Sequence, residues 1–103
     1  MKSAKLRKLK RRIGQLRGSS VKPRKLESLA QALGRQRAKR GSEPTWVSSV
    51  FPDLRPLSIP HHSKEVKRFT AESILDQLEM DVHRWEEELK SEGTLESGGK
   101  DDA

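Results

Sequence analysis

The chain has 103 residues, of which 31% are hydrophobic and none is cysteine. This length allows one small domain, and the lack of cysteine excludes disulfide frameworks, thiolate nucleophiles and metal sites built on sulfur. The net charge of +7 is unevenly divided, because residues 1–40 carry fifteen Lys and Arg against one acid while residues 41–103 carry seven against fourteen. So basic a block favours a polyanionic partner, nucleic acid first and anionic membrane second.

No apolar run in the sequence approaches the ~18 residues that a membrane span needs. The N-terminus also lacks the apolar segment of a secretory signal. We therefore expect a cytoplasmic protein.

Apolar periodicity predicts two helices in the basic half. Four residues of segment 3–17 recur at helical spacing: Leu6, Leu9, Ile13 and Leu16. We expect this helix and its linker to form an appendage over residues 1–21. A second helix over 23–33 begins at Pro23, a residue suited to the first helical turn, and ends before Gly34, a residue suited to a left-handed cap.

The middle of the chain predicts an antiparallel meander of three short strands, near 35–40, 45–50 and 57–59, because turn sequences separate them. A long helix should follow, with Thr70 as its N-cap. Its apolar stripe consists of Ile74, Leu75, Leu78, Val82, Trp85 and Leu89. This order predicts a two-layer α+β domain over 22–90. Residues 91–103, acidic and rich in glycine, are expected to be a disordered tail.

Three ordered motifs of this sequence are similar to those of one known family. They are GS at 41–42 followed by Trp46, IPHHSKEV at 59–66 and TAESILDQL at 70–78. The chain resembles the HicA (YcfA-like) toxins of type II toxin-antitoxin systems over about residues 22–80. The resemblance implies an α-β-β-β-α fold like that of double-stranded-RNA-binding domains. It also implies a bacterial mRNA endoribonuclease that acts without a metal and is neutralised by a HicB-like antitoxin protein.

The candidate catalytic residues are His62, His61 and Glu43. His62 matches the family's Pro-x-His position, and an unperturbed histidine pKa of about 6.5 suits acid–base catalysis of RNA cleavage. The family's catalytic histidine after Gly-Ser corresponds to Glu43, whose unperturbed pKa of about 4.3 suits a general base poorly. The alternative is a polar strand end at the histidines and a solvated turn at Glu43. We expect His83 to face solvent.

The candidate RNA-binding residues are Arg35, Arg37, Lys39, Arg40, Ser42, Lys64 and Lys67. Alternating cations on the first strand should place at least two on one sheet face, where they would follow an RNA backbone, and the loop before the last helix adds phosphate contacts. The alternative is that these charges are merely solvated. No metal, cofactor or small-molecule ligand is expected.

Segment 3–17 has further interpretations: an amphipathic helix on anionic lipid, a mitochondrial transit peptide, or a helix packed on the domain or on a partner. For the whole chain, two functions stay open. One is an RNA-binding HicA-like toxin component with a weakened or rearranged ribonuclease site. The other is a non-catalytic nucleic-acid-binding or antitoxin-interaction module.

Overall fold

A computed structural model describes residues 1–38, 44–60 and 64–91. These ranges contain three helices and a three-stranded antiparallel sheet, which confirms an α+β domain. The elements, in chain order, are α1 (Ser3–Leu16), α2 (Pro23–Ala32), β1 (Arg35–Ala38), β2 (Thr45–Ser48), β3 (Leu57–Ser58) and α3 (Arg68–Ser91). The predicted tail lies outside the described residues, apart from Ser91.

The N-terminal helix belongs to the core, so its description as an appendage is wrong. Leu6, Leu9 and Ile13 are 1–5% exposed and join the hydrophobic cluster of the domain. Helix α1 packs against α3. The two helices run antiparallel, because Lys10 contacts the C-terminal part of α3 while Arg17 contacts its N-terminal part. Burial of the leucine and isoleucine side chains is what holds α1 in place.

Helix α2 has the start and stop that its sequence predicts. Pro23 occupies the first turn, and the helix buries Leu26 and Leu29 against β1 and α3. Gly34 follows with φ of +99°, a left-handed conformation that costs glycine little. A Cβ atom at Gly34 would also lie 3.2 Å from the Val50 side chain. The turn therefore favours glycine for its conformation, and a Cβ atom there would also have to displace the exposed Val50 side chain slightly.

The sheet has the order β1-β2-β3, with antiparallel pairing throughout. In this register Arg35 is opposite Ser48, and Trp46 is opposite Leu57. These four side chains are buried, whereas Thr45, on the other face, is only partly covered. The helices therefore cover one sheet face, as the sequence predicts.

Helix α3 carries the longest buried stripe of the described chain. Its predicted apolar residues are buried apart from Trp85, which is half-buried. The Trp85 ring meets the Phe51 ring edge to face at 4.9 Å, and its Nε1–H donates to the Leu33 carbonyl at 2.7 Å. The helix begins at Arg68, so Thr70 lies within the first turn and is not the N-cap.

A short backbone bridge joins the loop before α2 to the loop before α3. The Val21 N–H donates to the Val66 carbonyl at 3.0 Å, and the Val66 N–H donates to the Val21 carbonyl at 2.7 Å. Both valines are buried. The bridge therefore fixes residues 20–22 beside residues 65–67.

No helix in the described ranges combines the length and the apolar character of a membrane span.

Candidate nucleic-acid interface

Six of the predicted site residues fall outside the described ranges. They are Lys39, Arg40, Ser42, Glu43, His61 and His62. All three candidate catalytic residues are in this group, so their roles stay predictions.

Arg35 is not part of an RNA-binding face, which corrects its assignment from the sequence. Its side chain is 1% exposed, and its guanidinium binds Asp81, itself 2% exposed, through two parallel hydrogen bonds of 2.7 and 3.0 Å. Its Nη1 donates to the carbonyls of Trp46 and Arg55, each at 2.9 Å. A planar guanidinium suits this four-bond arrangement, which links β1, β2, the 51–56 loop and α3.

The sequence held one signal for this buried pair. Asp81 falls between Leu78 and Val82 on the apolar stripe of α3, where a carboxylate is costly unless a cation meets it. The stripe thus indicated a buried acid that needs a partner. It did not indicate which of the chain's many arginines would be that partner.

The other described candidates are exposed: Arg37, Lys64 and Lys67. Arg37 lies on β1, at the opposite edge of the sheet from β3. The two lysines follow β3, close to the Val21–Val66 bridge. The structure therefore places Arg37 and the lysine pair on elements at different sheet edges.

Cations from two parts of the chain meet beside the bridge. Lys22 follows Val21, whereas Lys64, Lys67 and Arg68 lie on either side of Val66. All four are exposed, and none lies within ion-pair distance of a described carboxylate, although the charge of Arg68 helps to lower the pKa of Glu72. We call these four residues the bridge cluster. Lys22, which the sequence alone did not single out, joins the set because the bridge brings its segment to the loop before α3.

The acids nearest to the bridge cluster have other partners. Glu65 accepts a hydrogen bond from the Ser20 hydroxyl at 2.9 Å. Glu72 accepts from the Gly18 N–H and from Arg17. These bonds lower the pKa of Glu72, the Gly18 N–H first and the Arg17 side chain second. Both carboxylates are thus already hydrogen-bonded.

A second basic surface is the side of α1 that faces away from the core. Arg7, Lys8 and Arg11 are exposed and lie opposite the buried leucines on the helical wheel. None of the three pairs with an acid in the described part of the chain. We call these three residues the outer face of α1.

The flank of α1 nearest to α3 is different, because its cations are paired. Arg17 lies 2.7 Å from Glu72, 2.9 Å from Asp76 and 2.7 Å from Glu79. These contacts raise the pKa of Arg17, the hydrogen bond to Glu72 contributing most and burial opposing it. Lys10 lies 3.2 Å from Glu86. Acids of α3 therefore neutralise this flank and leave the outer face of α1 positive.

Among the described residues, the one histidine is His83. His83 is exposed, as expected, with Nδ1 at 3.2 Å from Glu86. No group of three or more His, Asp and Glu side chains in those ranges is suited to hold a metal ion. A cavity of about 230 Å³ lies between the 53–55 loop and α3, but its buried charges, Arg35 and Asp81, are bound to each other.

Comparisons of the chain with family models, with curated proteins and with solved structures gave no match. The assignment to a family therefore stays a prediction from the three motifs.

Proposed function

We propose that the protein binds RNA as a HicA-like toxin component with a fold like that of double-stranded-RNA-binding domains. One observation carries the RNA-binding part of the proposal. Seven exposed cations, in the outer face of α1 and the bridge cluster, have no ion pair among the described residues, while nearby acids are engaged elsewhere. When unpaired lysine and arginine side chains meet phosphates, counterions condensed on the RNA are released, and this release supplies most of the non-specific affinity.

The catalytic part of the proposal rests on the resemblance. His62, with His61 beside it, would supply acid–base catalysis of mRNA cleavage, and a HicB-like protein would cover the site. A second candidate, a non-catalytic binding module, is favoured by one sequence feature. Glu43 occupies the position of the family's catalytic histidine, and its carboxylate is a weak base towards a hydroxyl proton.

RNA binding is tested by the salt dependence of affinity for a single-stranded oligonucleotide, measured by fluorescence anisotropy. Each phosphate contact contributes about −0.7 to the slope of log K against log salt on single strands. The double variant K8A/R11A should therefore lower the magnitude of the slope by about 1.4. The matched control R55A/K90A removes the same charge from two exposed positions outside both basic surfaces and should leave the slope unchanged. Equal effects of the two double variants would refute a localised interface.

Catalysis is tested by cleavage of single-stranded RNA and by growth after induced expression. Loss of a general acid or base costs about 10²–10⁴-fold, so His62→Ala should abolish detectable cleavage and growth arrest while RNA binding persists. If the site lacks only a histidine at position 43, Glu43→His should increase both RNA cleavage and growth arrest. If the native protein and Glu43→His both bind RNA but neither cleaves it between pH 5 and 9, the protein is a binding module.

A further inference from the structure

Phe69 is the most exposed large hydrophobic residue of the described chain. It is 89% exposed, compared with 64% for Met80 and 46% for Val50. It lies in the first turn of α3, where the neighbouring Ala71 is fully buried. The side of this turn that carries Ala71 therefore faces the core, and the Phe69 ring points to solvent.

The surroundings of this ring are cationic. Lys67 and Arg68 precede Phe69 directly, and the bridge brings Lys22 to the same loop. The two nearest acids, Glu65 and Glu72, accept hydrogen bonds from Ser20, Gly18 and Arg17. An exposed aromatic ring beside unpaired cations matches the two parts of a nucleotide, since a base can stack on the ring while its phosphates meet the cations.

We propose that Phe69 is a stacking platform for an unpaired base of single-stranded RNA, with Lys22, Lys67 and Arg68 holding the flanking phosphates. This inference rests on the proposed RNA-binding function and deepens it by naming the class of RNA. A base inside a duplex is stacked between its neighbours and offers no free face. Phe69 therefore selects single strands, loops and splayed ends over paired segments.

A lipid surface fits these observations less well. An amphipathic helix that lies on a membrane turns its apolar face to the lipid. The apolar face of α1 is occupied, because Leu6, Leu9 and Ile13 are buried in the core. Phe69 is left as a single exposed ring at this site, with charged neighbours on its N-terminal side.

The experiment compares the affinities of Phe69→Ala, Phe69→Tyr and the native protein for a 12-nucleotide single strand and for its duplex at one fixed salt concentration. Stacking of one base on an aromatic side chain changes affinity by about 5- to 150-fold. We expect Phe69→Ala to lose that factor on the single strand and to change duplex affinity less than about twofold. Phe69→Tyr keeps the ring and should restore single-strand binding. Met80→Ala, which also removes an exposed apolar side chain from α3, is the matched control and should bind like the native protein.

A second variant reports stacking directly. In Phe69→Trp, an indole at position 69 should be quenched by single-stranded RNA well beyond the quenching of the native Trp46 and Trp85. Failure of the native protein to bind any RNA would overturn the proposed function and this inference together. If the native protein binds RNA but Phe69→Ala binds the single strand equally well, only the stacking inference is overturned. The stacking inference alone also fails if Phe69→Ala weakens binding to phosphatidylglycerol vesicles and leaves RNA binding unchanged.

Discussion

The buried pair of Arg35 and Asp81 supplies the sharpest test of the fold. Replacing Asp81 with Asn keeps the shape of the side chain but leaves the Arg35 guanidinium buried without a counter-charge. Breaking a buried ion pair in this way costs about 3–5 kcal/mol. Domains of this size have a free energy of unfolding of about 5–15 kcal/mol, so Asp81→Asn should lose a large fraction of it.

The double variant R35M/D81L removes both buried charges and replaces them with apolar side chains, so it distinguishes the cost of an unpaired charge from the cost of altered packing. Because both charges leave together, the desolvation cost disappears, and replacing a buried pair by apolar side chains is often neutral or stabilising. Here the carbonyls of Trp46 and Arg55 would lose their donor. Each unsatisfied buried group costs about 1–3 kcal/mol, so the double variant should lose about 2–6 kcal/mol, which is less than the separate losses of Arg35→Met and Asp81→Leu added together.

Urea denaturation followed by tryptophan fluorescence measures both variants. With a urea dependence of about 1–2 kcal/mol per molar, the loss of about 3–5 kcal/mol should lower the midpoint of Asp81→Asn by roughly 1.5–5 M. The exposed pair of Arg84 and Asp53 provides the control, and Asp53→Asn should leave the midpoint nearly unchanged. Two results would contradict this prediction: Asp81→Asn unfolding at the native midpoint, or separate losses of Arg35→Met and Asp81→Leu that add up to the loss of the double variant.

Two further outcomes follow from contacts of α1. Ile13→Ala should lower the free energy of unfolding by about 2–5 kcal/mol, because Ile13 is 1% exposed in the core, and a native-like urea midpoint would show that α1 is peripheral after all. The pKa of Glu72 is lowered by hydrogen bonds from the Gly18 N–H and Arg17, so its stabilising contribution is present above its unfolded pKa of about 4.3 and is lost as the pH falls through the folded pKa. Urea midpoints measured from pH 7 to pH 2 should therefore decrease at acidic pH. The decrease should be smaller in Glu72→Gln.

The elements with strong local patterns could be predicted from the sequence. The stripe of α3 repeats over more than four turns, and only one of its faces offers a continuous apolar surface. Gly34 ends α2 because a residue with positive φ was needed there. The sequence predicts the start of α3 three residues too late, because Thr70 is a good N-cap by residue type and nothing local indicates that Arg68, Phe69 and Thr70 are helical.

Contacts between distant parts of the chain could not be predicted in the same way. The apolar stripe of α1 has no aromatic residue and so favours packing on the domain or on a partner over a lipid surface, but only its packing against α3 distinguishes the domain from a partner. The alternation of cations after Gly34 predicted a solvent face for Arg35, whereas the buried carboxylate of Asp81 draws it into the core. Lys22 joined the candidate interface through the Val21–Val66 bridge, a contact between segments 45 residues apart.

The division of charge along the sequence has a different meaning once the chain is folded. At least three of the fifteen cations in residues 1–40 are engaged internally, Lys10 and Arg17 with α3 and Arg35 with Asp81. Part of the acidic half therefore serves to hold the basic half in place. Counterions leave the polyanion only where a cation meets a phosphate, so the salt dependence of RNA binding should follow the proposed interface, the outer face of α1 and the bridge cluster, rather than the total charge of the segment.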